Sequence, residues 1–105
     1  MRKLLLLSFV FLFVGFASAL TPITNCQELQ DMNLDLNEDY MIMNFIDCSP
    51  TSGWNNGLGF EPIGDITHPF TGTLTSIDNN VTINYMRIER WNENFVGLFG
   101  YVSSQ

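Results

Sequence analysis

Gly59-Phe60-Glu61-Pro62-Ile63-Gly64, Pro69-Phe70-Thr71-Gly72-Thr73-Leu74 and Val96-Gly97-Leu98-Phe99-Gly100 decide the reading of this chain. Short runs of Phe, Ile, Leu and Val are punctuated by glycines at their corners. From Phe70 to Leu74 the apolar residues alternate with Thr71 and Thr73, the period of two expected of a strand with one buried face. Glycine-cornered short strands of this kind predict an all-β chain coiled into a solenoid. A solenoid is a scaffold and does not name its chemistry.

Working outward, Asp78-Asn79-Asn80 reads as a turn, Val81 to Ile88 as the longest later strand, and Phe95 to Val102 as a closing apolar run. Upstream, Ser49 to Gly59 reads as a loop, with Pro50, Gly53 and the turn dipeptide Asn56-Gly57. Tyr40 to Cys48 reads as one strand. Tyr40, Ile42, Ile46 and Cys48 share a face with Asn44, and Met41, Met43 and Phe45 form the other, so both faces are expected to be buried. Asn25 followed by Glu28 has capping-box spacing, and Leu29 and Met32 share a helical face. A short helix over residues 25–32 is therefore expected, covering an open end of the strand stack.

Residues 1–19 read as a secretory signal peptide: Arg2-Lys3, an apolar run from Leu4 to Phe16, then Ala17-Ser18-Ala19 at the cut. The run falls short of the roughly 20 residues of a membrane span. Cleavage leaves residues 20–105 with Arg87 and Arg90 against all 11 acidic residues, a net charge of −9. So acidic a chain is a poor nucleic-acid ligand. No other segment reads as a membrane span. Export puts Cys26 and Cys48 in an oxidising space, where the single possible intramolecular pairing is expected to form.

In this order the residues resemble the N-terminal portion of the exported GLUG-motif repeat proteins. The resemblance is carried by Asn25-Cys26-Gln27-Glu28-Leu29-Gln30, Ile46-Asp47-Cys48, Ile83-Asn84-Tyr85-Met86-Arg87-Ile88 and the three motifs quoted first. It covers nearly all of the chain after the signal peptide. It implies a short right-handed parallel β-helix, with residues 20–105 forming an N-terminal cap and about two coils, secreted or at the cell surface and adhesin-like. It supplies no catalytic set. The chain departs from the family pattern at Thr75 to Asn80, where a glycine-bearing turn is usual, and at Phe45, where Asp is usual. Family members continue for several more coils, which leaves two expectations open: a truncated or decayed copy of a larger surface protein, or a cap that needs a partner.

Asp35 to Asp39 lacks the Gly and bidentate Glu of a calcium-binding EF-hand, since Tyr40 and Ile46 hold those positions. His68 is alone, without a His-Glu-x-x-His pattern, and there is no Gly-x-Ser-x-Gly elbow. The expectation is no metal, no cofactor, no catalytic residues and no enzymatic activity. Trp91, in a polar loop, and Tyr85 are the candidate ligand contacts, because an aromatic face suits a sugar ring or a protein partner. Trp54 and Tyr101 are expected to pack inward. The expected partner is a surface protein or polysaccharide, or further copies through stacking or self-association. The alternative is a carbohydrate-active enzyme or carbohydrate-binding module on a β-helix, with Asp47, Asp65 or Asp78 as acids.

Overall fold

The computed structural model describes residues 19–103; all but Ala19 of the expected signal peptide lies outside them. β1 (Thr21–Ile23) leads into a short helix, α1 (Cys26–Gln30), which tightens into a 3₁₀ turn over Asp31–Leu34. β2 (Asp39–Ile42) and β3 (Ile46–Asp47) follow, then two 3₁₀ turns at Ser49–Gly53 and Asn55–Gly57, then β4 (Thr73–Ser76) and β5 (Ile83–Asn84). β2 is the centre of a three-stranded parallel sheet in the order β1-β2-β4, with Tyr40 opposite both Thr21 and Leu74. β3 and β5 form a separate two-stranded parallel sheet, pairing Ile46 with Ile83.

This corrects the all-β, right-handed parallel β-helix expected from the sequence. The strands are two to four residues long, they lie in two small parallel sheets beside a helix and 3₁₀ turns, and no closed solenoid forms among the described residues. The fold is a small mixed one. Of the motifs quoted first, only Thr73 and Leu74 enter a strand, β4; the rest contribute isolated bridges, Gly59 with Ile88, Ile63 with Phe99 and Phe70 with Val102. The reason is local. Pro62 and Pro69 have no N–H to give to a ladder. Tyr85 (φ 64°) and Phe95 (φ 59°) adopt the left-handed conformation, which halts β5 after Asn84 and breaks the expected closing run.

The expected strand from Tyr40 to Cys48 is likewise broken, between β2 and β3. At the break, Asn44 Nδ2 donates to the carbonyls of Thr24 (3.0 Å) and Phe45 (2.7 Å). The face carrying Tyr40, Ile42, Ile46 and Cys48 is buried as expected, but Met43 and Phe45 stand exposed, so the segment is buried on one side only. Helix α1 starts at its expected cap: Asn25 Oδ1 accepts the Glu28 N–H at 2.8 Å. Glu28 completes the box one residue further out, accepting from the N–H (2.7 Å) and hydroxyl (2.8 Å) of Thr24. Those bonds hold the Glu28 carboxyl below its ordinary range.

The core gathers Ile23, Leu29, Met32, Ile42, Ile46, Phe60, Ile63 and Phe70 around the disulfide joining Cys26 to Cys48. A run of rings, Tyr40 to Phe70 (6.3 Å) to Phe99 (5.1 Å), links the three-stranded sheet to the C-terminal segment. Thr51 is the one buried polar residue among those described; its hydroxyl donates to the Cys48 carbonyl (2.6 Å) and accepts the Arg87 N–H (2.8 Å). Burial without that pair of bonds would be costly, so Thr51 fixes the 3₁₀ turn against the segment after β5.

Candidate functional site

The most exposed aromatic ring in the described chain is held out by a partly buried arginine. Arg90, with a side chain 9% exposed, donates from Nε to the Phe60 carbonyl (3.2 Å) and from Nη1 to Glu93 Oε2 (3.2 Å). The Glu93 N–H returns to the Arg90 carbonyl at 3.0 Å, closing a turn around residues 91 and 92. Trp91 is thereby displayed 88% exposed. It lines an open depression of about 390 Å³ with Ile88, Glu89, Arg90, Glu93 and Val96. An indole offered on a fixed turn, with carboxylates and a guanidinium nearby, can stack on a sugar face or an apolar partner while polar groups orient it. Sequence reasoning found Trp91 but missed Arg90, because its partners Phe60 and Gly59 lie about thirty residues away.

Tyr85 is also exposed, at 71%, on the turn ending β5, but it does not line the Trp91 depression. The structure therefore leaves both rings exposed and does not bring them together in one cleft. Trp54 packs against the core as expected, yet one side of it lines a second, larger depression of about 500 Å³ with Gln30, Asn33, Asn55 and Glu61. Tyr101, contrary to expectation, is exposed, packed edge-on at 6.1 Å against Phe95, itself exposed.

The three acids of the enzymatic alternative sit in three different segments, Asp47 at the end of β3 and Asp65 and Asp78 in turns, each accepting local backbone N–H groups. Asp47 Oδ1 takes that of Ser49 (3.0 Å) and Asp78 Oδ1 that of Asn80 (2.8 Å). Asp65 Oδ1 takes those of Thr67 (2.9 Å) and His68 (2.8 Å) and the Thr67 hydroxyl (2.8 Å). The Thr67 hydroxyl, then the His68 N–H, hold the Asp65 carboxyl below its ordinary range, the opposite of what a general acid needs. The carboxylates of the Asp35–Asp39 stretch take different donors: Asp35 accepts the Asn37 N–H (3.3 Å), Glu38 the Thr21 hydroxyl (2.6 Å) and Asp39 the Thr73 hydroxyl (2.9 Å). Among the described residues no group of His, Cys, Asp or Glu is gathered as a metal site. No described helix is long and apolar enough to cross a membrane.

No family model matches the chain and no solved structure matches it, so neither supports the resemblance to GLUG-motif repeats. Similarity to one curated protein is clear: the chain is 45% identical over 78 residues to halomucin of Haloquadratum walsbyi, a stretch that takes in 70% of this chain and 1% of that far longer protein.

Proposed function

We propose that this chain is an exported, surface-associated module without enzymatic activity, which binds a surface protein or polysaccharide through exposed side chains rather than an enclosed cleft. The observation that carries this reading is the 45% identity to a small part of halomucin. The N-terminal residues support export through their signal-peptide pattern. The acidic balance after cleavage favours a hydrated, self-repelling surface. On this reading the chain corresponds to one part of a larger surface protein.

Trp91 favours a saccharide as the bound class, since a fully displayed indole is a stacking platform. The test is recovery of the protein from the outside of its producing cells, followed by binding of the purified chain to polysaccharide from those cells. Binding that drops at least tenfold in Trp91→Ala, with no turnover of the polysaccharide, is the expected result. Retention in the cytosol would sink the export reading. Release of oligosaccharides would sink the non-enzymatic one.

A further inference from the structure

Asn80-Val81-Thr82 is the one Asn-x-Ser/Thr sequence in the chain; no other asparagine has Ser or Thr two places on. The structure sets it in the turn between β4 and β5. The Asn80 N–H donates to Asp78 Oδ1 (2.8 Å) and the Ser76 hydroxyl donates to the Asp78 carbonyl (2.9 Å), so the turn is tied to the end of β4. Asn80 and Thr82 are both exposed, and neither side chain makes a hydrogen bond among the described residues. The part of Thr82 that the fold uses is its carbonyl, which accepts the Ile46 N–H at 2.9 Å. Four other asparagines are put to structural use: Asn25 caps the helix, and Asn33, Asn44 and Asn55 bond distant or neighbouring backbone. Asn80 presents an unoccupied carboxamide on an ordered, solvent-facing turn.

We propose that Asn80 is an N-glycan acceptor. The inference rests on the export part of the reading above, since the transfer occurs after a chain leaves the cytosol. The co-reactant is an oligosaccharide carried on a lipid phosphate or diphosphate. Nδ2 of Asn80 bonds to the anomeric carbon of the glycan, and the bond from that carbon to the phosphate oxygen breaks. The lipid phosphate leaves with the electron pair, and the amide nitrogen gives up one proton. The Thr82 hydroxyl is the recognition group two places on. A bulky hydrophilic group here costs the fold no contact, and it stands at the end of a strand whose outer edge has no strand partner among the described residues.

The experiment is mass spectrometry of peptides spanning Asn80, from protein recovered outside its own producing cells. A glycan mass on Asn80 is expected, retained in Thr82→Ser and lost completely in Thr82→Ala and Asn80→Gln. All three variants are expected to keep the parent thermal midpoint, because the replaced groups are exposed and unbonded. Bare Asn80 in the extracellular protein overturns the proposal and leaves the surface reading standing. A modification that survives Thr82→Ala also overturns it. Bare Asn80 in protein that never leaves the cytosol overturns both.

Discussion

The side-chain amide of Gln30 stands in for a neighbouring strand beside Glu61. Its Nε2 donates to the Glu61 carbonyl at 2.9 Å, and its Oε1 accepts the Glu61 N–H at 2.8 Å. Asn33, three residues on, does the same with the Pro62 carbonyl (3.1 Å) and the Gly64 N–H (2.8 Å). The spacing puts both amides on one side of the helical segment. They satisfy the peptide groups of residues 61–64, which have no strand partner on that side. Helical cover of an open edge was expected. Its mechanism, carboxamides imitating peptide groups, was not.

Asn33→Ala leaves a half-buried N–H and carbonyl unpaired, and should cost about 1–3 kcal/mol of stability. Gln30→Ala, at a wetter position, should cost about 1 kcal/mol. Urea unfolding reads both; unchanged midpoints would remove the amides from any role in holding the fold.

Cys26 and Cys48 close a loop across a sequence separation of 22, and both are buried. Reduction should cost roughly 3 kcal/mol. Unfolded, unreduced protein should titrate no free thiol; a count of two would refute the pairing.

Gly64 has φ of +78°, and a Cβ there would lie 2.7 Å from the Tyr101 carbonyl oxygen and 2.8 Å from the Phe70 nitrogen. Both are backbone atoms carrying the rungs to the C-terminal segment. Gly64→Ala should therefore lose about 2 kcal/mol or more. Gly53, with nothing within 4 Å of an added Cβ, is the control, and its alanine variant should shift stability by less than about 1 kcal/mol. Equal thermal midpoints for the two variants would contradict this packing.

Stability should fall at both ends of the pH scale, for different reasons. Glu28 and Asp65 have carboxyls held below their ordinary values, chiefly by Thr24 and Thr67. Their contribution is present above the ordinary values of 4.5 and 3.8 and is lost as pH falls through the lower folded values. Tyr40 is pushed up, first by burial and then by Asp35 and Glu38. Its contribution is full below the ordinary 10.0 and is lost as pH rises through the higher folded value. Glu28→Gln should flatten the acid limb of a stability profile and Tyr40→Phe the alkaline limb. Limbs that keep their slopes would assign the transitions to other groups.

Trp91→Ala should weaken binding without moving the thermal midpoint, since the ring is almost wholly outside the core. Arg90→Ala should do both, because it leaves the Phe60 carbonyl and Glu93 without their partner. A midpoint loss in Trp91→Ala would mean the ring is structural.

Local signals in the sequence located what local physics controls. The cap at Asn25, the burial of Phe70, the exposure of Thr73 and the broad position of the helix follow from spacing and residue type. Cys26 and Cys48 could be matched because no other intramolecular pairing existed. The illegible parts depend on distant partners or on unusual backbone. Tyr85 looks like a strand residue, and its left-handed φ has no signature in an apolar run. Thr51 looks like loop, and one of the two bonds that satisfy its buried hydroxyl comes from the Arg87 N–H, 36 residues away. The solenoid expectation failed for the same reason: glycine and phenylalanine spacing marks corners, but says nothing of how few residues between them stay extended. At the site, the same reasoning picked the displayed ring and overlooked the partly buried guanidinium that displays it.

The link between Cys26 and Cys48 also has a mechanical meaning for the chain under tension. Tension applied from both ends can peel β1 from β2 and β2 from β4, yet the residues within the covalent loop do not lengthen. Fully drawn out, that stretch would measure roughly 75 Å. The bridge keeps this length in reserve while it remains oxidised, so the reach of the pulled chain, and not only its resistance to heat, depends on the redox state of its surroundings.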